Sequence, residues 1–394
     1  MKFTITRDHL AAATGWVTST ARTGRGALPS PILAGLLVDA GADGTLTVAG
    51  YDYEVSARYR TGAAGTGEPG RALIPARMLA QAAASLPAGH EVTLTADGAR
   101  AVLTAGQVTY TLMLLPHEEY PPLPEPGEPV AEFGAGHLAA AVAQVVTAAA
   151  RDDTLPALTC VHLSLDGEGT ATLTATDRYR LATVTCPYTP RGQGELPGAV
   201  LIPAASLAAA VRHPDTATVV LGFTGQPWRD RYRADGTAVL TADGREVTIR
   251  TIAAEFPRIT PLIPGGDDSE HPITATVTAG AGELAAAVKR AAVVAERNTP
   301  VRLGITPAGL HLEAGTGDDA AYTDDLEVAC EGDTFTIAFR PGYLLDALGS
   351  VTAAGGATVR LALTSPARPA LLTPAEPSGP VACRHVLMPV RGSG

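Results

Sequence analysis

Internal repetition constrains this chain more than any other feature. Three Ala-rich segments share one pattern: Asp8-His9-Leu10-Ala11-Ala12-Ala13, Gly136-His137-Leu138-Ala139-Ala140-Ala141 and Gly282-Glu283-Leu284-Ala285-Ala286-Ala287. Each follows a short alternating stretch that reads as a strand, such as Lys2 to Thr6 or Thr274 to Thr278. Leu10, Thr14 and Val17 stand at i, i+4 and i+7, and Leu138, Val142, Val145 and Leu284, Val288, Ala291 repeat that spacing. One face of an amphipathic helix has this period. A second helix start also recurs, at Ile74-Pro75-Ala76-Arg77, Ile202-Pro203-Ala204-Ala205 and Phe339-Arg340-Pro341-Gly342-Tyr343-Leu344-Leu345. Proline is favoured near the first helical turn because its missing N–H has no partner there anyway. Leu10 and Leu138 are 128 positions apart, and so are Ile74 and Ile202. Two landmarks displaced by one offset mark a repeated unit.

A third signal closes the units: Glu119-Tyr120-Pro121-Pro122-Leu123-Pro124 ends the first, and Glu255-Phe256-Pro257 through Pro264 ends the second. Between the helices run alternating Thr/Val/Leu stretches broken by Asp-Gly or Ala-Gly turns, among them Gly44 to Val48, Glu91 to Thr95, Ala171 to Thr174 and Val247 to Ile252. They read as strands and hairpins. The expected fold class is α+β in three tandem units, 1–126, 127–266 and 267–394, with boundaries in the Pro/Gly-rich segments.

Composition narrows the function. The 394 residues carry 29 basic and 40 acidic side chains, a net charge of −11, which argues against a surface coated with nucleic-acid-binding charge but leaves room for a local basic face. Hydrophobic residues make up 46 %, enough for a sizeable core. No apolar run of 18 residues is present, and the start, Met1-Lys2-Phe3-Thr4, lacks a signal-peptide stretch, so the expected location is cytoplasmic with no membrane contact. Cys160, Cys186, Cys330 and Cys383 form no CxxC pair and read as small buried residues, with no metal and no cofactor expected. Walker A, HExxH and GxSxG patterns are absent, and no dinucleotide-binding glycine fingerprint opens a helix, since Gly65-Thr66-Gly67-Glu68-Pro69-Gly70 leads into the apolar stretch Ala72-Leu73-Ile74. The acidic pairs Asp152-Asp153, Asp267-Asp268 and Asp318-Asp319 read as solvated turns rather than catalytic carboxylates.

The three units, the Met-Lys-Phe-Thr start, Ile-Pro-Ala-Arg before a helix, Ala175-Thr176-Asp177-Arg178-Tyr179-Arg180-Leu181-Ala182 and the Met388-Pro389-Val390-Arg391 end occur in one order. Together they resemble the bacterial DNA polymerase III β subunit, the DNA sliding clamp, over the whole chain. The resemblance implies a head-to-tail homodimer, a ring of six domains with twelve helices lining the hole and sheets outside. Double-stranded DNA would pass through the hole. The protein would be a processivity factor without its own catalytic site, holding DNA polymerase III subunits, the clamp loader and other clamp-binding-motif proteins near the template. A sliding ring needs sequence-independent electrostatics, and the cations expected in the hole are Arg25, Arg77, Arg151, Lys289, Arg290 and Arg297. Ala204 and Ala205 stand where the family usually carries basic residues.

The resemblance also implies a partner-peptide pocket between the second and third units. The matching positions are Leu158, Thr176, Arg178, Arg180, Leu181, Pro257, Leu262, Tyr343, Ala367, Pro369, Val386 and Met388, joined by Arg340 at the rim. Apolar walls with a few polar groups suit Leu- and Phe-type anchors. Several positions depart from the family pattern: Arg340 replaces the usual Asn, His385 the usual Tyr and Gly392 the usual terminal Leu, and Ile259-Thr260-Pro261 follow Arg258. A permanent charge at the rim can reject one ligand and admit another. This motivates a second reading, a specialised paralogue giving resistance to a pocket-binding cyclic peptide antibiotic of the griselimycin type. The expected dimer surfaces are Tyr110 and Leu112 on a first-unit strand, with Val293 and Val294 off the core phase of a third-unit helix. The reading from another class, an unrecognised hydrolase, lacks a nucleophile–base pair in the sequence.

Overall fold

The computed structural model describes the chain except residues 22, 24–29, 63–64, 193–197, 213–215, 225–235, 267–271, 296–298, 316–319, 377–378 and 391–394. The repeated helix starts become six helices: α1 (Arg7–Thr20), α2 (Ala76–Ser85), α3 (Ala135–Val145), α4 (Ala204–Ala210), α5 (Ala281–Val294) and α6 (Pro341–Ala353). Every residue of the three repeated phases, from Leu10, Thr14 and Val17 to Leu284, Val288 and Ala291, is buried. Thr6 caps α1 by accepting from His9 N–H. The prolines differ between copies. Pro341 is the first residue of α6, whereas Pro75 and Pro203 stand one position before their helices. Both of these end a strand, opposite Gly35 and Cys160, where a residue without an N–H closes the ladder.

Among the described residues all strand pairings are antiparallel, and two sheets run across unit boundaries. One nine-stranded sheet joins Arg245–Arg250 of the second unit to Val55–Gly62 of the first. The other joins Arg180–Pro187 of the second unit to Ala382–Leu387 of the third. One edge of a five-stranded sheet is Val108–Met113, and one edge of a four-stranded sheet is Ala321–Leu326. Helices cover one face: α1 packs on α2 and α5 on α6, while α1 meets α4 and α3 meets α6 across the boundaries. The strand expected to reach Ile252 stops at Arg250, because Thr251 N–H turns to Gly236 O and Ile252 N–H to Leu201 O.

The Pro-rich exits fold back on the outer sheet faces. Tyr120 packs with Leu37, and the Phe256 ring stacks on His162 at 4.9 Å. Cys160, Cys186 and Cys383 are buried, and burial pushes their thiols up to about 11, 12 and 12; Cys330 is half-buried. No helix among the described residues is long and apolar enough to cross a membrane.

Candidate peptide cleft, helix-face cations and open edges

The hairpin at the second boundary aims a buried arginine. Asp177 Oδ1 accepts from the N–H groups of Tyr179 and Arg180, both at 3.0 Å, and holds Arg178 at φ 77°. Thr176 Oγ1 donates to Arg180 O at 2.7 Å. Arg180 then reaches toward α6. Its Nε donates to Asp177 Oδ2 at 3.0 Å, its Nη1 to Asp346 Oδ2 at 2.5 Å, and its guanidinium lies 4.4 Å from the Tyr343 ring centroid. Two carboxylates and an aromatic face are what a desolvated guanidinium requires. The Arg340 guanidinium stacks over Tyr179 at 5.1 Å and Tyr343 at 5.6 Å.

The ladder brings the apolar members together. Leu181 pairs with Val386, Arg180 with Leu387, and Met388 N–H donates to Tyr179 O at 2.8 Å. Leu181 and Val386 are buried, whereas Met388 is exposed. His385, on the other side of the ladder, is held neutral down to about pH 4 by burial first and then by the Arg180 charge. Leu158 is buried in the turn Pro156–Thr159, and its carbonyl accepts from Ala150 N–H. Pro369 precedes Ala370, which pairs with Leu387. Pro257, Leu262 (45 % exposed) and Ala367 are solvent-facing and stand outside the bonded cluster.

Of the expected cations, Arg25 and Arg297 lie outside the described residues. Arg77 on α2, Arg151 beyond α3 and Lys289 on α5 are exposed. Arg290, also on α5, donates to Asp324 Oδ2 and to Tyr322 Oη, which offsets its charge. Arg151 lines a groove of about 520 Å³ whose other walls include the small residues Ala204 and Ala205 and the carboxylate of Asp346.

Of the expected dimer residues, Tyr110 and Leu112 lie on the edge strand Val108–Met113, and Val293 and Val294 end α5. Tyr110 bonds Ser85 of α2 at 2.9 Å, and Leu112 is buried on the helix side. Val293 is 84 % exposed, while Val294 is partly buried against the third-unit core. Sequence reading missed Met78 on α2 and Val108 and Met113 on the edge strand, all exposed. The available signal was the same as for Val293, an apolar side chain off the buried phase. It also missed Asp177, Tyr179 and Asp346 in the cleft; two of these sit inside the quoted motif. Among the described residues no cluster of three or more His, Cys, Asp or Glu is arranged to hold a metal.

Three helix-and-sheet units joined edge to edge define a sliding-clamp fold. Family models for the DNA polymerase III beta subunit match along the chain: the N-terminal domain at residues 1–124, the central domain at 134–258 and the C-terminal domain at 271–391. The beta sliding clamp of Streptomyces coelicolor is 37 % identical over all of both chains. The beta sliding clamp homolog GriR of Streptomyces muensis is 33 % identical over 99 % of each. The Pseudomonas aeruginosa sliding clamp bound to griselimycin superposes with a TM-score of 0.86 at 24 % identity, covering all of both chains. The chain belongs to the DNA polymerase III β-subunit family, the β sliding clamps. Its function is that family's function in DNA replication.

Proposed function

We propose that two copies of the chain, each with units 1–126, 127–266 and 267–394, close head to tail into a six-unit ring around duplex DNA. One observation carries this reading: the chain makes the same joint twice and presents the two halves of a third. Strand Val55–Gly62 takes Arg245–Arg250, and Arg180–Pro187 takes Ala382–Leu387. The corresponding strands, each with one open edge among the described residues, are Ala321–Leu326 and Val108–Met113. An open edge is a pairing template, and helical partners follow the same rule. First helices α1 and α3 meet second helices α4 and α6, so α5 of one copy meets α2 of the other. Val293 and Met78, exposed on those two helices, are then covered.

The two internal registers fix the third. Tyr322 occupies the place of Ala57 and Ala182, and Tyr110 that of Val247 and His385, so Tyr322 faces Tyr110 of the second copy. Thr323 then faces Thr109. In the double variant Thr109→Cys with Thr323→Cys, oxidation should yield covalent dimers, while Thr111→Cys with Thr323→Cys should not. Equal yields from both pairs, or none from the first, would refute this register.

In the ring, Arg77, Arg151 and Lys289 supply phosphate contacts without reading bases, with Arg290 contributing less; Arg25 and Arg297 lie outside the described residues. The cleft around Leu181, Val386 and Met388 takes peptides from DNA polymerase III subunits, the clamp loader and other clamp-binding-motif proteins. The chain acts in the cytoplasm and performs no chemistry of its own.

The Arg340 stack favours a second reading, a specialised copy whose altered cleft rejects or sequesters a griselimycin-type cyclic peptide. A guanidinium over two tyrosines fills the aromatic surface at the rim and adds charge. Arg340→Asn should change griselimycin affinity by about tenfold in calorimetric titration; unchanged affinity removes Arg340 from this role.

A further inference from the structure

The exit segment of the first unit covers only part of a sheet edge. Strand Gly70–Pro75 is the last of its nine-stranded sheet, and Leu115 N–H donates to Leu73 O along its outer side at 2.8 Å. Backbone groups of a strand point the same way at every second residue, so the N–H and C=O of Arg71 also point outward. The exit chain does not reach them. Pro116 has no N–H to donate, and the chain turns away through His117–Glu119. Among the described residues no other segment bonds the Arg71 backbone from that side.

Two joined cavities flank this edge, and Arg71 and His117 line both. One, of about 330 Å³, has apolar walls that include Leu37, Ala49, Tyr120, Pro121 and Leu123. The other, of about 410 Å³, carries the side chains of Asp97 and Glu118. Arg71, Asp97, His117 and Glu118 are all exposed, so both cavities open to solvent. The guanidinium between them is already committed: Arg71 Nε donates to Asp39 Oδ2 at 2.7 Å. His117 approaches Glu118 at 3.4 Å, whereas Asp97 forms no ion pair among the described residues. Arg100, opposite Asp97 in the ladder, is not part of the wall. The second cavity is therefore acidic, in a chain of net charge −11, and it attracts a cation and repels a carboxylate.

We propose that this edge docks an extended segment of a partner protein, with an aliphatic side chain in the apolar cavity and a Lys or Arg two residues along in the acidic one. Side chains two apart in a strand share a face at a spacing of about 7 Å, which suits two cavities that meet at one pair of residues. The segment's backbone bonds the Arg71 N–H and C=O, taking up the edge where Leu115 leaves it. Asp97 and Glu118 discriminate a basic segment from an acidic one. The site lies apart from the cleft at the second junction and requires neither that reading nor the ring.

Fluorescence polarisation of the full chain tests this with three fluorescein-labelled probes: Gly-Gly-Leu-Val-Arg-Gly, its Glu counterpart Gly-Gly-Leu-Val-Glu-Gly, and Gly-Gly-Gly-Val-Arg-Gly, which lacks the aliphatic anchor. The Leu/Arg probe should bind saturably and the other two should not. Asp97→Asn combined with Glu118→Gln changes two exposed side chains without altering their shape, and should weaken the Leu/Arg probe about fivefold. Val386→Ala, at the second junction, should leave its affinity unchanged. Absence of saturable binding by the Leu/Arg probe overturns the proposal. So does equal binding of the Glu probe or of the probe without Leu, or an affinity indifferent to the double variant. Weakening by Val386→Ala would place the probe in the other cleft and overturn it as well.

Discussion

At the first junction the residue leaving the hairpin turn is Val55, buried in an apolar core; at the second it is Arg180, buried against Asp177, Asp346 and Tyr343. The contrast continues along the ladder. Val247 faces the helices at the first junction and His385 does so at the second, while on the outer face Ser56 and Thr248 give way to Leu181 and Val386. The polarity of the joint is inverted between two copies of one backbone. The first keeps the usual order, apolar toward the helices and polar outward. The second places a guanidinium and an imidazole toward the helices and gives its outer face an apolar floor, the surface proposed above for a peptide with aliphatic anchors. Departures from local rules gather where binding is required.

The largest expected difference is at this first position. Arg180→Ala leaves the Asp177 carboxylate largely buried and uncompensated, and should cost about 4 kcal/mol of stability. Val55→Ala should cost about 2 kcal/mol, the loss of a buried side chain with its packing. Urea unfolding of both variants reads the difference directly. Equal losses would mean that the Arg180 network contributes no more than ordinary packing.

The next difference is acid sensitivity. His385 is neutral in the folded chain down to about pH 4, against an ordinary value of 6.5. As pH falls below 6.5 the unfolded chain takes the proton first. The His385 contribution is therefore complete above pH 6.5 and is lost between 6.5 and 4, about 3 kcal/mol in all. Half-buried His162, lowered by burial, adds a loss of the same sign. Val247, at the matching position of the first junction, does not titrate. Urea midpoints measured at pH 7.5 and 4.5 should fall further in the wild type than in His385→Phe. Parallel falls in the two proteins would remove His385 from the acid response.

The helices were legible in the sequence because their information is local. Leu138, Val142 and Val145 share a face whatever lies around them, and all three are buried. The exposed Val293 followed from the same periodicity, although partly buried Val294 turns back to its own core. The joints were not legible. A strand's alternation gives its faces but not its partner, and Val55–Gly62 pairs with a strand nearly two hundred positions away. Arg180 carried the wrong expectation for a buried residue, since the carboxylate that compensates it, Asp346, arrives from the third unit. The Arg340 position was flagged by its residue type, but its stacking on Tyr179 and Tyr343 required the fold.

The central claim is that this chain holds DNA by encirclement. The most direct measurement is retention of the protein on circular and on linearised plasmid after loading by a cognate clamp loader, in high salt. The account predicts long retention on the circle and rapid loss from the cut molecule, because a closed ring leaves only over an end. Equal lifetimes on the two DNAs, with a folded dimer and an active loader, would contradict it.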